Sequence, residues 1–320
     1  MLISRIVVCM FLGGMMVLGA GGVSGQDYPS KPIRVLTSGA GGASDILARL
    51  IAQGISAPLG QPVIVDNRVA IIAIETVAKA PPDGYSLLFY GTLIWLAPFL
   101  RDNVPWDPVR DFSPITLVTS EPNVLVAHPS LPVRSVKELI ALAKARPGAL
   151  NYGSSGSGSS GHLAGELFKS MAGVDIVRIP FKSIVLGLPD LMSGQLQLMF
   201  PPVGPVDAHI KSGRLRALAV TSAQPSALVP GLPTLAASGL PGYEVVALNG
   251  IFAPGKTPAA IVNRLNQEMV RVLTRADVKE KFLSTGQEIV GSSPEEFAAA
   301  IKSDMARMGK VIRDAGIRDD

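Results

Sequence analysis

Two glycine- and serine-rich stretches carry the residue types best suited to holding a small ligand. Residues 37–45 read TSGAGGASD, and residues 151–168 read NYGSSGSGSSGHLAGELF. Each follows a short apolar run with strand character, at 33–36 and 150–152, and each leads into a helical pattern. Glycine lets a ligand approach the backbone closely. The first amides of a helix lack intrahelical partners and carry partial positive charge, so they favour an anion such as a carboxylate or phosphate. Neither stretch completes a nucleotide motif. Residues 39–44 lack the final glycine of the dinucleotide fingerprint, and no Gly-Lys-Ser/Thr closes the second loop. A tight turn or a flexible Gly/Ser linker would have the same composition.

Catalytic pairings are missing. The serines of 153–161 do not form a G-x-S-x-G nucleophile elbow. The three histidines, His128, His162 and His209, are far apart, and the single cysteine, Cys9, lies near the start of the chain. No metal-ligand spacing, nucleophile–base pair or cofactor fingerprint emerges, so we expect no metal, no cofactor and no turnover. His162, at the start of a helix beside the second loop, is a candidate ligand contact.

The elements that must position these loops alternate. The runs at 33–36, 63–65 and 85–90 read as strands, separated by a helical pattern from Ser44 and by another ending at 76–80. This βαβαβ opening predicts a parallel sheet covered by helices. Two further apolar runs, at 115–129, flank Glu121, Pro122 and Asn123. A second α/β unit follows, with helices at 135–145, 162–171, 185–193 and 206–211 and strands at 150–152, 176–179, 197–200 and 216–221. Ser135 and Glu138 have capping-box spacing. Residues 258–320 read almost wholly as helix.

Composition narrows the function classes. The chain is 48% hydrophobic and 17% charged, which excludes a disordered chain. A net charge of +4 over 320 residues, with no basic run and 5% aromatics, gives no nucleic-acid surface. Residues 1–25 combine Arg5, an uncharged apolar run and small residues before Gln26, the pattern of a cleaved secretory signal peptide. A mature protein in the periplasm is expected.

The order of motifs along the chain resembles the tripartite tricarboxylate transporter substrate-binding proteins, the Bug or TctC family. It includes YPSKPIR at 28–34, GGASD at 41–45, LGQP at 59–62, DNR at 66–68 and PDGY at 82–85. Further on come WDPVRDF at 106–112, NYGSS at 151–155, HLAGE at 162–166, GRLRALA at 213–219 and PEEF at 294–297. The resemblance implies an α/β, two-domain Venus-flytrap protein of type II-like architecture. One domain would comprise 26–122 with 250–320 and the other 123–249. A small organic acid would bind in the cleft between them, and a membrane permease would be the partner. Ser38, Gly41, Gly42, Ser44, Asp45 and Thr92 would line one jaw. Ser154, Ser155, Ser159, Ser160 and His162 would line the other, with Phe181, Lys182 and Ser183 beside them. Asp45 would cap its helix or hold a water. The alternatives are a ligand sensor feeding a two-component system, or an α/β hydrolase or transferase.

Three segments depart from the family pattern on the side expected to face the cleft. The approach to the first glycine pair is Thr37-Ser38-Gly39. Residues 69–74 read VAIIAI where a glycine-rich loop is usual. Phe181-Lys182-Ser183 replaces Tyr-Lys-Gly, and Pro201 stands where an acidic residue often follows the strand.

Overall fold

The structure, a computed structural model, describes residues 28–41 and 43–318. The expected signal segment 1–25 and Gly42 lie outside the described residues. The elements run β1 (Ile33–Thr37), α1 (Ala43–Leu59), β2 (Val63–Asn67), α2 (Ala70–Ala78), β3 (Ser86–Gly91), α3 (Leu93–Leu100), β4 (Phe112–Pro122), β5 (Val124–Ala127), α4 (Val136–Ala145), β6 (Asn151–Ser154) and α5 (Ser160–Ala172). They continue β7 (Val177–Pro180), α6 (Ile184–Ser193), β8 (Leu198–Met199), α7 (Asp207–Lys211), β9 (Arg216–Val220), β10 (Val246–Pro254), α8 (Ala259–Leu273), α9 (Ala276–Ser284), β11 (Glu288–Ile289) and α10 (Pro294–Asp314).

Among the described residues these strands form two sheets. The first has the order β11-β4-β10-β3-β1-β2 and the second β7-β6-β8-β5-β9. β1 pairs in parallel with β2 and β3, and β6 pairs in parallel with β7 and β8. β10 runs antiparallel to both β3 and β4. β4 therefore runs in the same sense as β1–β3, and all four end toward the second sheet. The chain crosses at Asn123 between β4 and β5, and it returns before β10. Val246 pairs opposite Pro122, so the first sheet takes the chain up again four residues before position 250.

Helices cover both faces of the first sheet. α1 and α8 pack Leu47, Ile51, Leu265 and Met269 onto one face, while α2, α3 and α10 bury Ile74, Trp95 and Phe297 on the other. The apolar stripe recurring three and four residues apart along α1 is what directs it inward. Residues 70–74, the apolar segment that stands where the family pattern has a glycine-rich loop, are the first turns of α2. Two local readings change. The helical tail is interrupted by β11, whose Glu288 and Ile289 pair with Ser120 and Thr119. Ser135 does accept the Glu138 N–H (3.2 Å), but the Glu138 carboxylate takes the Arg134 N–H (2.6 Å) and leaves the Ser135 amide, so the box is not reciprocal. Ser293 and Glu296 close a reciprocal box at α10. No helix among the described residues is long and apolar enough to cross a membrane.

Candidate functional site

A hollow of about 210 Å³ opens at the C-terminal ends of β1 and β3. It is lined by Ser38 and Ser44 from the first glycine loop and helix, by Tyr90, Gly91, Thr92 and Leu93 from the next strand-to-helix turn, and by Asn249 from β10. Parallel strands leave free backbone groups at this end, and the helices that follow point their N-terminal amides back at it. The Tyr90 hydroxyl shares a hydrogen bond with the Ser38 side chain, and burial raises the Tyr90 pKa. Asn249 Nδ2 donates to Thr119 Oγ1 at 3.3 Å.

Asp45 organises this jaw from behind. It is 5% exposed. Its Oδ2 accepts the Gly41 N–H (2.9 Å), and its Oδ1 accepts from Asn67 Nδ2 (2.9 Å) and pairs with Arg49 (2.9 Å). The Gly41 hydrogen bond, with help from Arg49 and Asn67, holds the carboxyl below its ordinary pKa against the cost of burial. Gly41 turns with φ +77°, in the left-handed region where a side chain is strained. Asp45 therefore fastens the turn to β2 and α1.

The second jaw is the 155–159 loop between β6 and α5. Ser159 is the N-cap of α5, and its hydroxyl accepts the His162 N–H at 3.3 Å. Ser160 Oγ exchanges hydrogen bonds with the Asn123 side chain at the crossover. His162 is 4% exposed, and its Nδ1 accepts the Gly158 N–H at 3.2 Å. Burial first, and then the nearby Arg178 charge, push its pKa down to about 4. The ring is thus a neutral brace beneath the loop. Ser154 is buried, and its Oγ accepts from Arg178 Nε at 2.7 Å, while the Ser155 carbonyl accepts from Arg178 Nη2 at 3.0 Å. Phe181 lays its ring over Gly153 and Gly187. Lys182 is exposed, and Ser183 is the N-cap of α6 without a side-chain cap bond.

The loop faces the first lobe closely. A Cβ on Gly158 (φ +74°) would lie 2.6 Å from Leu100 Cδ1 at the end of α3, so this position requires glycine twice over. The structure brings Ser38, Ser44 and Thr92 together in the hollow. It sets Asp45, Ser154, Ser159 and His162 to holding the loops. Sequence reading missed Tyr90, Asn249 and Arg178. Tyr90 and Thr92 flank the glycine that ends a strand, a legible signal. Asn249 and Arg178 are single polar residues inside strands, with no local motif to mark them.

A larger groove, about 500 Å³, lies between α5 and α10. Its charges are already satisfied in the pairs Lys169–Glu166, Lys310–Asp314 and Arg307–Glu244. It is the weaker candidate for a free ion. Among the described residues, no group of three or more His, Cys, Asp or Glu is placed to hold a metal.

Comparisons with known proteins agree with this fold. The family model described as "Tripartite tricarboxylate transporter family receptor" matches residues 47–317. Protein BugT of Bordetella pertussis is 33% identical over 302 residues, covering 92% of this chain and 93% of BugT. R. palustris Rpa4515, solved with adipate, is 37% identical with a TM-score of 0.72, covering 91% of this chain and 99% of that one. A TctC solute binding protein from Polaromonas is 26% identical with a TM-score of 0.83, covering 90% and 99%. The two α/β lobes and these matches along nine-tenths of the chain make this protein a member of the tripartite tricarboxylate transporter receptor family, the Bug or TctC solute-binding proteins, which bind rather than transform their solutes.

Proposed function

We propose that this protein is exported to the periplasm, captures a small carboxylate between its lobes and presents it to the membrane subunits of a tripartite tricarboxylate-type permease. One lobe comprises residues 28–122 with 246–318, and the other 123–245. The observation that carries the reading is the hollow at the C-terminal ends of β1 and β3, lined by the Ser38, Ser44, Tyr90 and Thr92 hydroxyls and the Asn249 amide where α1 and α3 begin. Such helix starts favour negative charge without a full cation. The adipate in Rpa4515 supports a carboxylate as the ligand. Ser38, Ser44, Thr92, Tyr90 and Asn249 supply the first lobe's contacts, and the backbone of 155–159 supplies the second lobe's.

Calorimetry on the purified protein with a panel of mono-, di- and tricarboxylates tests this. At a ligand concentration 100 times Kd, binding stabilises the fold by about 2.7 kcal/mol, which a thermal-shift assay registers. Saturable binding of a carboxylate is expected. Binding of neutral solutes alone, with none of the acids, overturns the reading. N-terminal sequencing of the secreted form tests export, with Gln26 expected as the first residue.

A further inference from the structure

Exposed aliphatic side chains gather on both lobes at the strand-to-helix turns next to the two glycine–serine loops. On the first lobe they are Val69, which is 69% exposed, and Ile71 and Ile72 in the first turn of α2. On the second they are Val185, 66% exposed, and Leu186, 58% exposed, in the first turn of α6. Exposed valine, leucine and isoleucine scattered singly need no explanation, but runs of them on both lobes do.

The sheet order places these patches. α2 begins where β2 ends, and α6 begins where β7 ends. β2 and β7 are the outermost strands of their sheets. The opposite edges are tied together: Glu288 of β11 accepts hydrogen bonds from Ser226 Oγ (2.8 Å) and Ala227 N (2.6 Å), just beyond β9. The β2 and β7 edges are therefore the ones away from this tie. Each aliphatic turn neighbours the polar loop of the adjacent strand, β1 on one lobe and β6 on the other. Neighbouring strands lie about 4.8 Å apart, the span of a few methylenes. At the crossover end, Glu121 pairs opposite Ala247, on the strand face that carries Thr119 and Asn249. Burial raises the pKa of the part-buried Glu121 carboxyl there, and in its ionised form it repels a second carboxylate.

We propose that the ligand is an amphiphilic monocarboxylate. Its carboxylate sits in the polar hollow, and its hydrocarbon chain or aryl ring lies at the mouth between Val69, Ile71 and Ile72 on one lobe and Val185 and Leu186 on the other. This rests on the carboxylate reading of the cleft and names the class of acid that fits it. The competing seat for a distal carboxylate is Lys182, exposed beside Val185.

Calorimetry with straight-chain acids decides the matter. For the wild type, affinity is expected to rise about threefold per methylene from butanoate to octanoate, and octanoate is expected to bind at least tenfold more tightly than suberate, the diacid of equal length. Two double variants, V69S with I72Q and V185S with L186Q, are each expected to lose octanoate affinity by about tenfold while keeping that for butanoate. Val69 is an N-cap without a side-chain hydrogen bond, so serine there supports α2 and folding is retained. Suberate binding as tightly as octanoate, or octanoate and butanoate losing equally in the variants, or neither changing, overturns the apolar mouth while leaving the carboxylate cleft standing. Failure of every carboxylate to bind the wild type overturns the cleft reading itself, and this proposal with it.

Discussion

Asp45 shows how much one side chain can hold. Three groups converge on its carboxylate, and one of them is the amide of a glycine that must turn left-handed. Asp45→Ala is expected to cost about 2–4 kcal/mol, since it strands the Gly41 amide and the Asn67 side chain and frees the loop. Urea denaturation measures the loss, and a change below 0.5 kcal/mol would show the loop to be held elsewhere. Asp45→Asn should cost less, because one hydrogen-bonding oxygen remains. His162 makes a different prediction. In the fold its ring resists protonation down to about pH 4, whereas an unfolded histidine takes a proton near 6.5. The unfolded state therefore binds more protons in that window, so the contribution of His162 is complete above about 6.5 and is lost as pH falls toward 4. The loss is on the order of 3 kcal/mol. Stability measured against pH in wild type and His162→Asn should differ in slope between those limits and run parallel above pH 7.

At the scale of elements, the α5 cap gathers the second jaw. Ser159 receives the His162 amide, so its hydroxyl is engaged in capping. Ser159→Ala is expected to destabilise the protein by about 1 kcal/mol, a typical cap loss, and to weaken ligand binding only through a looser α5 N-terminus. Ser159→Asp should restore the cap and its stability, yet lower carboxylate affinity by placing like charge at the mouth of the anion site. Thermal unfolding and calorimetry on the pair separate these roles. The strand–loop–helix punctuation here was legible in the sequence, because glycine, serine and a switch from period two to period three or four mark it directly. Arg178 was not. It reaches the Ser154 hydroxyl and the Ser155 carbonyl from a neighbouring strand, so its role depends on sheet order, which residue spacing does not encode. Asn249 was hidden for the same reason. It enters the hollow because β10 runs antiparallel against β3, whose end Gly91 it faces. The apolar stretch after Arg68 reads as a departure from the family pattern, but only the structure turns it into the first turns of a helix.

Across the whole molecule, the lobes are connected by more than the two chain crossings. Glu288 receives Ser226 and Ala227 from the far lobe. Arg307 on α10 reaches Glu244 in the returning segment (2.6 Å). These ties span the flank nearest the crossings and bias the angle between the lobes. Glu288→Ala is expected to let the lobes part more readily and to weaken ligand capture by about three- to tenfold, the worth of one or two hydrogen bonds. Small-angle scattering with and without ligand should then show a larger difference in radius than for wild type. An unchanged affinity and profile would mean that the latch does not govern the angle.

The pairing of Pro122 with Val246 has a topological consequence. The chain leaves the first sheet and re-enters it at adjacent positions, so the whole excursion from 123 to 245 is a closed detour whose two ends touch. Within that detour, the Thr221 amide donates to the Asn123 carbonyl and the Val245 amide to the Thr221 carbonyl, sealing its neck. Excising the detour and bridging 122 to 246 with a short glycine turn would leave every strand of the first sheet in place. Replacing so long a loop with a few residues lowers the entropy cost of bringing β4 and β10 together by about 3 kcal/mol. The remaining lobe, carrying the Ser38–Asn249 hollow on an open face, would be a monovalent half of the clamp. Its affinity, set against that of the intact protein, would measure how much of the grip comes from enclosure.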